Sequence, residues 1–508
     1  MYNKLRITLL SVVLIMLVNG LITSCGSTEN IVPGTESVED NSSVLETAVE
    51  TTFSYDPKLP EADYEGYSFT FAVRGKEGSN AAWDNHDIKV ENLNGEVLND
   101  AIYERTQFIE DTYNVKIGVR HCGDTGVATS GSEMYKNIST AVLGGDADID
   151  AIISSPYDTV GYAMAGFLLD MNKIEHLNLS QPWWDQNAIE QLALNKKIYF
   201  TTGEVTIIDN KATQIMLFIK DLIRDYSLDD PYSLVRSGKW TLDKFIEMSR
   251  AAERDLDGDG NMNENDVYGY IYWQDGCFGL IHSTGNAFGG INASGTPELT
   301  LYTDRMTSVW SKLIAFTNES CTYSIKNDPD VLKGQGADSI IKYMISGKHT
   351  LFSFAYVNHV ELLRESDADF GIIPNPKFDE KQDEYFATAH GYGTALMSVP
   401  ITNSNSPRTG LLLEAFAAKS MELVTPAFYD INLTGKFARD DESEEMLDLV
   451  FISKKYDMGY FFLWGDLTNK IMNAWNAKDD NLTSLYESAK IAAENDVKNT
   501  IELFAAHE

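Results

Sequence analysis

The chain has 508 residues, of which 76 are acidic and 40 are basic, so its formal net charge is −36. This charge argues against nucleic acid and against a general affinity for anionic lipid, because both attract basic surfaces. The length suffices for two or three domain-sized units.

The N-terminus has the pattern of a secretory signal. Lys4 and Arg6 precede an apolar run over residues 7–18, which is shorter than the about 20 apolar residues of a membrane-spanning helix. The run ends in Leu-Ile-Thr-Ser-Cys-Gly at residues 21–26, which resembles a bacterial lipobox. We predict a lipoprotein signal over residues 1–24 and lipidation at Cys25, which would hold the protein on the outer face of the cell membrane. The alternative is a plain signal peptide with a coincidental cysteine.

Residues 25–62 are predicted to form a disordered tether. The segment is rich in Ser, Thr, Glu, Val and Asn and has no aromatic residue before Phe53, so it cannot bury a core. Without the signal the chain has 38 basic and 76 acidic residues.

Three cysteines remain after Cys25, namely Cys122, Cys277 and Cys321. Their number is odd, their spacings are long and no Cys-x-x-Cys motif is present. We interpret them as buried thiols with at most one disulfide.

The first elements alternate between strands and helices. Apolar residues recur at period two over residues 67–73 and 115–119 and at helical spacing over residues 98–113 and 134–142, before a buried strand over residues 149–153. This order predicts βαβ units and a mostly parallel sheet. The loop after the first strand contains Trp83.

The stretch over residues 148–170 is the first candidate site. Its strand stops at Ser154-Ser155-Pro156, and a helix pattern follows over residues 160–169. Ligands of open α/β sheets bind beyond the carboxyl ends of strands, which makes Ser155, Tyr157 and Asp158 candidate ligand contacts. The alternative is an ordinary strand–loop–helix connection.

Further strands are predicted over residues 198–200, 215–219 and 267–273. Between them, Thr241 is a candidate N-cap and Asp243 lies in the first turn of a helix.

Residues 255–266 have the spacing of a calcium-binding loop. Carboxylates stand at loop positions 1, 3, 5 and 12, glycine at position 6 and a backbone ligand at position 7. Aspartate at position 12 resembles the dockerin type of EF-hand loop. We predict a structural Ca²⁺ site, against the alternative of an acidic surface turn, with the ligands Asp255, Asp257, Asp259, Asn261 and Asp266.

The C-terminal half begins with strand patterns over residues 351–356, 370–374 and 395–399. A small-residue stretch with His390 and Tyr392 precedes the last of these strands. Helices are predicted over residues 411–423 and 440–452 and at the end of the chain.

The order of these pieces resembles the extracellular solute-binding lipoproteins of bacterial ABC importers, in particular the family-1 group that includes the maltodextrin-binding protein. Residues 150–169 are similar to the lip helix of that group, and residues 239–243 to the start of its second-lobe helix. Gly347-Lys348 resembles the turn that precedes the aromatic ligand strand in that group, and residues 352–356 resemble the strand itself. The resemblance covers most of the chain after residue 63.

The resemblance implies an α/β fold of the type II periplasmic-binding-protein kind: two lobes of mixed sheets flanked by helices, joined by hinge crossings. Lobe 1 would comprise residues 63–207 and 396–432, and lobe 2 residues 208–395 and 433–508. The crossings would fall near residues 205–212, 390–395 and 429–437. The implied protein is a monomer that delivers a small solute, most often a sugar, to ABC permease subunits without catalysis. The candidate ligand contacts are then Trp83, Ser155, Tyr157, Asp158, Phe354, Tyr356, His390 and Tyr392, with Trp273 and Trp464 as weaker candidates.

Two alternatives remain. A secreted glycoside hydrolase would need paired carboxylates at strand ends, and 76 acidic residues leave that option open, although no hydrolase motif is present. A calcium-stiffened adhesion module would show internal repeats, and we find none.

Overall fold

The computed structural model describes residues 54–79, 81–326, 336–433 and 441–506. The chain divides into the units Met1–Asp56 and Pro57–Glu508, and all described strands and helices belong to the second unit. The predicted signal, Cys25 and most of the predicted tether lie outside the described residues. Residues 54–62 have no regular secondary structure.

The described ranges contain fourteen β-strands, whose bounds in chain order are β1 (Tyr67–Val73), β2 (Val115–His121), β3 (Ala151–Ser154), β4 (Phe200–Thr201), β5 (Gln214–Ile219), β6 (Tyr268–Tyr272), β7 (Gly289–Ile291), β8 (Pro297–Leu299), β9 (Thr322–Ser324), β10 (Thr350–Tyr356), β11 (Phe370–Ile373), β12 (Ala387–Thr388), β13 (Leu396–Ser398) and β14 (Lys454–Lys455).

The same ranges contain seventeen α-helices: α1 (Val97–Tyr113), α2 (Glu133–Leu143), α3 (Pro156–Met164), α4 (Gln186–Gln191), α5 (Ile208–Lys211), α6 (Lys220–Asp225), α7 (Pro231–Arg236), α8 (Leu242–Ala252), α9 (Gly276–Ser283), α10 (Asp304–Thr317), α11 (Ala337–Ser346), α12 (Asn358–Leu362), α13 (Ser406–Leu433), α14 (Asp441–Ile452), α15 (Met458–Phe462), α16 (Leu467–Ala477) and α17 (Leu482–Ala506).

The first sheet has the strand order β2-β1-β3-β13-β4. Strand β1 is parallel to β2 and β3, while β13 is antiparallel to β3 and β4. The βαβ units expected from the alternating patterns are therefore present, and a strand from the C-terminal half completes the sheet. The long helix α13 packs against α1 beside it.

The second sheet has the order β11-β5-β10-β6-β9. Strand β5 is antiparallel to both of its neighbours, and β10, β6 and β9 are mutually parallel. Helices α8, α11 and α14 contact this sheet. The predicted α/β fold with two mixed sheets flanked by helices is confirmed.

Two connections lead directly from one sheet to the other. Residues 202–213 join β4 to β5, and residues 374–395 join β11 to β13. The second connection contains β12, which pairs in parallel with β14. In the third predicted crossing, near residues 429–437, residues 429–433 belong to α13 and residues 434–437 lie outside the described residues.

Local sequence signals account for the burial pattern of β1 and for the start of α8. In β1, Phe69, Phe71 and Val73 are buried, as the period-two pattern predicts. Thr241 caps α8 by accepting a hydrogen bond from the backbone N–H of Lys244, which confirms the predicted N-cap.

One boundary differs from the prediction. Helix α3 begins at Pro156, so Tyr157 and Asp158 belong to its first turn instead of to a loop. The cause is local, because Ser155 accepts a hydrogen bond from the N–H of Asp158 as the N-cap and proline is favoured at the first helical position.

The interior also contains polar groups. Trp184 is fully buried, and its indole N–H donates to Glu414 Oε2 at 2.9 Å. Burial raises the pKa of Glu414 to about 7. Cys122, Cys277 and Cys321 are buried free thiols.

Within the part of the chain that the structure describes, no helix combines the length and the apolar character needed to cross a bilayer.

Candidate functional site

A cavity of about 400 Å³ lies where elements of both sheets and the second connection meet. Six of the eight predicted ligand contacts line it. They come from the loop after β1, the start of α3, the end of β10 and the connection before β13, and they are Trp83, Tyr157, Phe354, Tyr356, His390 and Tyr392.

The aromatic rings of this cavity contact one another. The ring of Tyr356 stacks on that of His390 at 4.7 Å between centroids, and Trp83 meets Tyr356 edge-on at 5.4 Å. Phe354 and Tyr356 share one face of β10 because side chains on a strand alternate. The cavity is thus bounded by apolar faces with polar tips, as ligand pockets generally are.

Asp275 is a partly buried carboxylate that lines the cavity, and its side chain is 18% exposed. Tyr356 Oη donates to Asp275 Oδ2 at 3.4 Å, and His390 Nε2 lies 3.6 Å from the same oxygen. Burial raises the pKa of Asp275 to about 6, although the hydrogen bond from Tyr356 acts in the opposite direction. At neutral pH the cavity therefore contains a carboxylate whose only short contacts in the described structure are neutral groups.

His390 is a neutral imidazole in this site. Burial, with the nearby positive charge of Arg74, lowers its pKa to about 3. The N–H of Gly393 donates to His390 Nδ1 at 3.1 Å, so Nδ1 is the acceptor and the ring proton lies on Nε2, facing Asp275.

Arg74 fixes the backbone behind the rings. Its guanidinium is almost fully buried and donates to the carbonyl oxygens of Trp83, Tyr392 and Gly393. A single side chain therefore holds both the loop after β1 and the connection before β13.

Gly391 allows that connection to pass close to Tyr157. A Cβ at Gly391 would lie 2.7 Å from Tyr157 Oη and 3.0 Å from the ring of Tyr460. Any side chain here would have to displace one of the two rings.

Ser155 and Asp158 lie behind the cavity and do not line it. Asp158 is fully buried and accepts hydrogen bonds from Ser132 Oγ at 2.7 Å and from Thr125 Oγ1. Together with the Ser155 cap, these bonds attach α3 to the loop before α2. Both residues thus set the position of Tyr157.

Several lining residues were not predicted, among them Asp275, Phe278, His359 and Tyr460. Asp275 lies shortly after the end of β6, so the strand-end rule that selected Tyr157 could have found it. Nothing in the local sequence marks Tyr460, which lies on α15 far along the chain. Of the two weaker candidates, Trp273 lines the cavity, whereas Trp464 packs against Phe462 in the core.

The predicted calcium loop forms a compact turn. Carboxylate oxygens of Asp255, Asp257 and Asp259 all lie within 4.8 Å of one another, and Gly260 has the positive φ of +84° that the tight turn requires. Asp266 is buried and accepts N–H groups of the loop backbone. The exposed Asn261 donates its backbone N–H to Asp259. The structure thus brings three of the five predicted ligands together, while both carboxylate oxygens of Asp266 accept backbone hydrogen bonds.

No family model and no curated protein matches the sequence. Among solved structures, an ABC substrate-binding protein of Listeria monocytogenes in complex with cycloalternan is similar, with 12% identity over 87% of this chain and 99% of the other and a TM-score of 0.51. A cyclo/maltodextrin-binding protein complexed with maltotetraose has 12% identity, coverages of 86% and 96% and a TM-score of 0.53.

A sugar transporter from Rhizobium etli in an open conformation has 14% identity over 87% of this chain and 100% of the other, with a TM-score of 0.52. At these identities the similarity concerns the fold. The resemblance found in the sequence is confirmed at that level, and the chain has the fold of the ABC substrate-binding proteins.

Proposed function

We propose that the protein is an extracytoplasmic solute-binding protein that captures a sugar or oligosaccharide in the aromatic cavity and delivers it to an ABC permease. The observation that carries the proposal is the position of the cavity, which is lined by strand ends of both sheets and by a connection between them. A change in the angle between the sheets would open or close such a site. The fold similarity to proteins crystallised with maltotetraose and cycloalternan supports the same solute class.

The chemistry of the lining favours a sugar. Aromatic faces bind the apolar C–H faces of a pyranose, while the tips of Tyr157, Tyr356 and His390 exchange hydrogen bonds with hydroxyl groups. The ionised Asp275 accepts further hydroxyl donors in charge-assisted bonds.

The charge of the site selects against acidic solutes. The described lining residues contain the carboxylates Asp275 and Asp338 and no lysine or arginine. A uronic acid or a sugar phosphate would place a second anion beside Asp275 without a compensating cation among the described lining residues. The expected solute is therefore neutral or carries an amino group.

The proposals of a membrane anchor and of a permease partner rest on the sequence. The lipobox-like segment ending at Cys25 supports lipid attachment outside the cytoplasm, and the long acidic tether supports reach from the membrane to a permease. Incorporation of labelled palmitate into the expressed protein, and its loss in Cys25→Ala, would support this assignment, and labelling that persists in Cys25→Ala would contradict it.

We also propose that the loop over residues 255–266 binds Ca²⁺ in a structural role. The support is the cluster of the three carboxylates of Asp255, Asp257 and Asp259, whose oxygens lie within 4.8 Å of one another, together with the EF-hand-like spacing of the loop. The ion would hold together carboxylates that otherwise repel one another.

The solute proposal is tested by isothermal titration of the chain from Ser27 onward against neutral oligosaccharides, amino sugars and uronic acids. We expect saturable binding in one of the first two groups, with the sugar recovered chemically unchanged. Binding confined to uronic acids, or cleavage of a glycoside by the purified protein, would contradict the proposal.

A further inference from the structure

A second cavity, of about 580 Å³, lies at the N-terminal end of α15. Tyr460 of that helix lines the aromatic cavity, and its N-cap Asp457 lines the second one. The proposed sugar site makes no use of this space. We call it the cationic cavity, because Arg305 and Lys455 line it.

Lys455 reaches the cationic cavity because side chains alternate along strand β14. The preceding Lys454 is buried and paired with Asp185 at 2.9 Å and with Asp209 at 2.5 Å. The side chain of Lys455 extends from the opposite face of β14. Its ammonium lies 5.0 Å from the ring centre of Phe386. In the described structure no carboxylate oxygen lies within ion-pair distance of Lys455. The nearby carboxylates of Asp185 and Asp209 are paired with Lys454 instead.

Arg305 enters from the first turn of α10. Its guanidinium lies over the ring of Phe378 at 4.9 Å, and within the described residues it forms no ion pair. Gly285 leaves space for the guanidinium of Arg305, because a Cβ at position 285 would lie 3.0 Å from Arg305 Nη1. Arg305 therefore lines the cavity as a half-buried cation without a carboxylate partner on the described chain.

The acidic residues of the cationic cavity do not neutralise these charges at short range. Asp457 is 1% exposed, and its oxygens accept hydrogen bonds from His282 Nε2 at 2.9 Å and from the N–H groups of Phe288 and Gly289 at 2.5 and 3.0 Å. Glu190 is exposed at the rim. Burial has the largest effect on the pKa of Lys455 and lowers it, the charge of Asp457 raises it, and the charge of Arg305 lowers it to a smaller extent.

Two half-buried cations facing one space are unusual in a chain with 76 acidic and 40 basic residues, where carboxylate partners are plentiful. Bringing like charges together costs free energy unless a counter-charge lies between them. The guanidinium fork suits an oxyanion in two-point contact, and an ammonium adds a point charge. The walls beside them, Phe386 and Ile291, are apolar.

We propose that the cationic cavity is a second ligand site, which binds a small organic oxyanion with its carboxylate or phosphate group between Arg305 and Lys455 and its body against Phe386 and Ile291. The site goes beyond the sugar-binding function and does not depend on it. It would also explain how a strongly acidic protein retains two cations without carboxylate partners in one cavity.

The test uses the full chain in detergent, with inorganic phosphate and succinate as probes and sodium chloride at matched ionic strength as reference. We expect saturable binding of at least one probe by calorimetry, together with a rise in the melting temperature that chloride does not reproduce. The probe that binds identifies phosphate or carboxylate as the recognised group.

Arg305→Gln and Lys455→Gln should each weaken that binding at least tenfold. Burial disfavours the charged form of Lys455, so the melting temperature of Lys455→Gln without the probe should be no lower than that of the wild type. Arg305→Lys keeps the charge, loses the fork and should bind with intermediate affinity. Lys312→Gln is the matched control on the same helix, where the lysine is paired with Asp243, and should bind as the wild type does.

An effect of chloride equal to that of both probes would overturn the proposal. So would unchanged affinity in Arg305→Gln and Lys455→Gln. Neither outcome affects the sugar-binding proposal, which is measured at the other cavity.

Discussion

Asp275→Asn should raise the stability of the empty protein and lower its affinity for the solute. Burial raises the folded-state pKa of Asp275 from 3.8 to about 6. The folded protein therefore binds this proton more tightly than the unfolded chain, and stability is lost as the pH rises from about 4 through 6. Two pKa units correspond to about 3 kcal/mol. Asparagine removes this loss, so at pH 7.5 the variant should be about 3 kcal/mol more stable, and at pH 4 nearly as stable as the wild type.

The effect on affinity has the opposite sign. An ionised carboxylate that accepts a solute hydroxyl contributes about 1.5–3 kcal/mol, so the variant should bind its sugar about 10- to 100-fold more weakly at pH 7.5. In the wild type, affinity should rise with pH through about 6, where Asp275 ionises. The variant should lack this dependence, because His390 remains neutral over the whole range.

The assay pairs denaturant unfolding of the empty protein with calorimetric titration of the best sugar, both between pH 4 and 8. Asp338→Asn is the contrast at the same cavity. A hydrogen bond with His359 lowers the pKa of Asp338, so its neutralisation should reduce stability slightly. A variant Asp275→Asn that is less stable at pH 7.5, or that binds sugar as tightly as the wild type, would refute the reasoning.

Three further predictions concern other parts of the molecule. Ca²⁺ should raise the melting temperature of the wild type in EDTA-treated buffer and leave that of Asp255→Asn unchanged; an equal rise in both would contradict the calcium proposal. Glu414 should contribute a loss of about 3 kcal/mol of stability as the pH rises from 4.5 to 7, because its folded-state pKa is about 7 against 4.5 unfolded, and the difference in unfolding free energy between Glu414→Gln and the wild type should grow by this amount over that range. Gly391→Ala should weaken sugar binding at least tenfold in titration, since its Cβ would lie 2.7 Å from Tyr157 Oη; unchanged affinity would mean that Tyr157 does not shape the site.

The elements that the sequence predicted well are those set by local patterns. The buried positions of β1 follow directly from alternation, and the start of α8 follows from the side chain of Thr241. The six rings at the aromatic cavity were selected because each stands near the end of a strand or in a connection. These features depend on a few neighbouring residues and need no knowledge of distant contacts.

The remaining features depend on packing between distant segments. Tyr460 lies 303 positions after Tyr157, yet their rings are 6.4 Å apart, and no local signal encodes that distance. The sequence also could not show that Asp158 faces Ser132 and Thr125 instead of the cavity. Lys454 and Lys455 are adjacent and chemically identical, and only the pairing of β14 shows that one is neutralised and the other is not.

The position of Arg74 has a consequence for how such a protein acquires a new solute. Arg74 holds the loop after β1 and the connection before β13 through their carbonyl oxygens, which every amino acid possesses. The side chains at positions 83 and 392 can therefore be exchanged while the backbone that presents them stays in place. In a library selected for altered sugar preference, substitutions should accumulate at Trp83 and Tyr392, and Arg74 should remain unchanged.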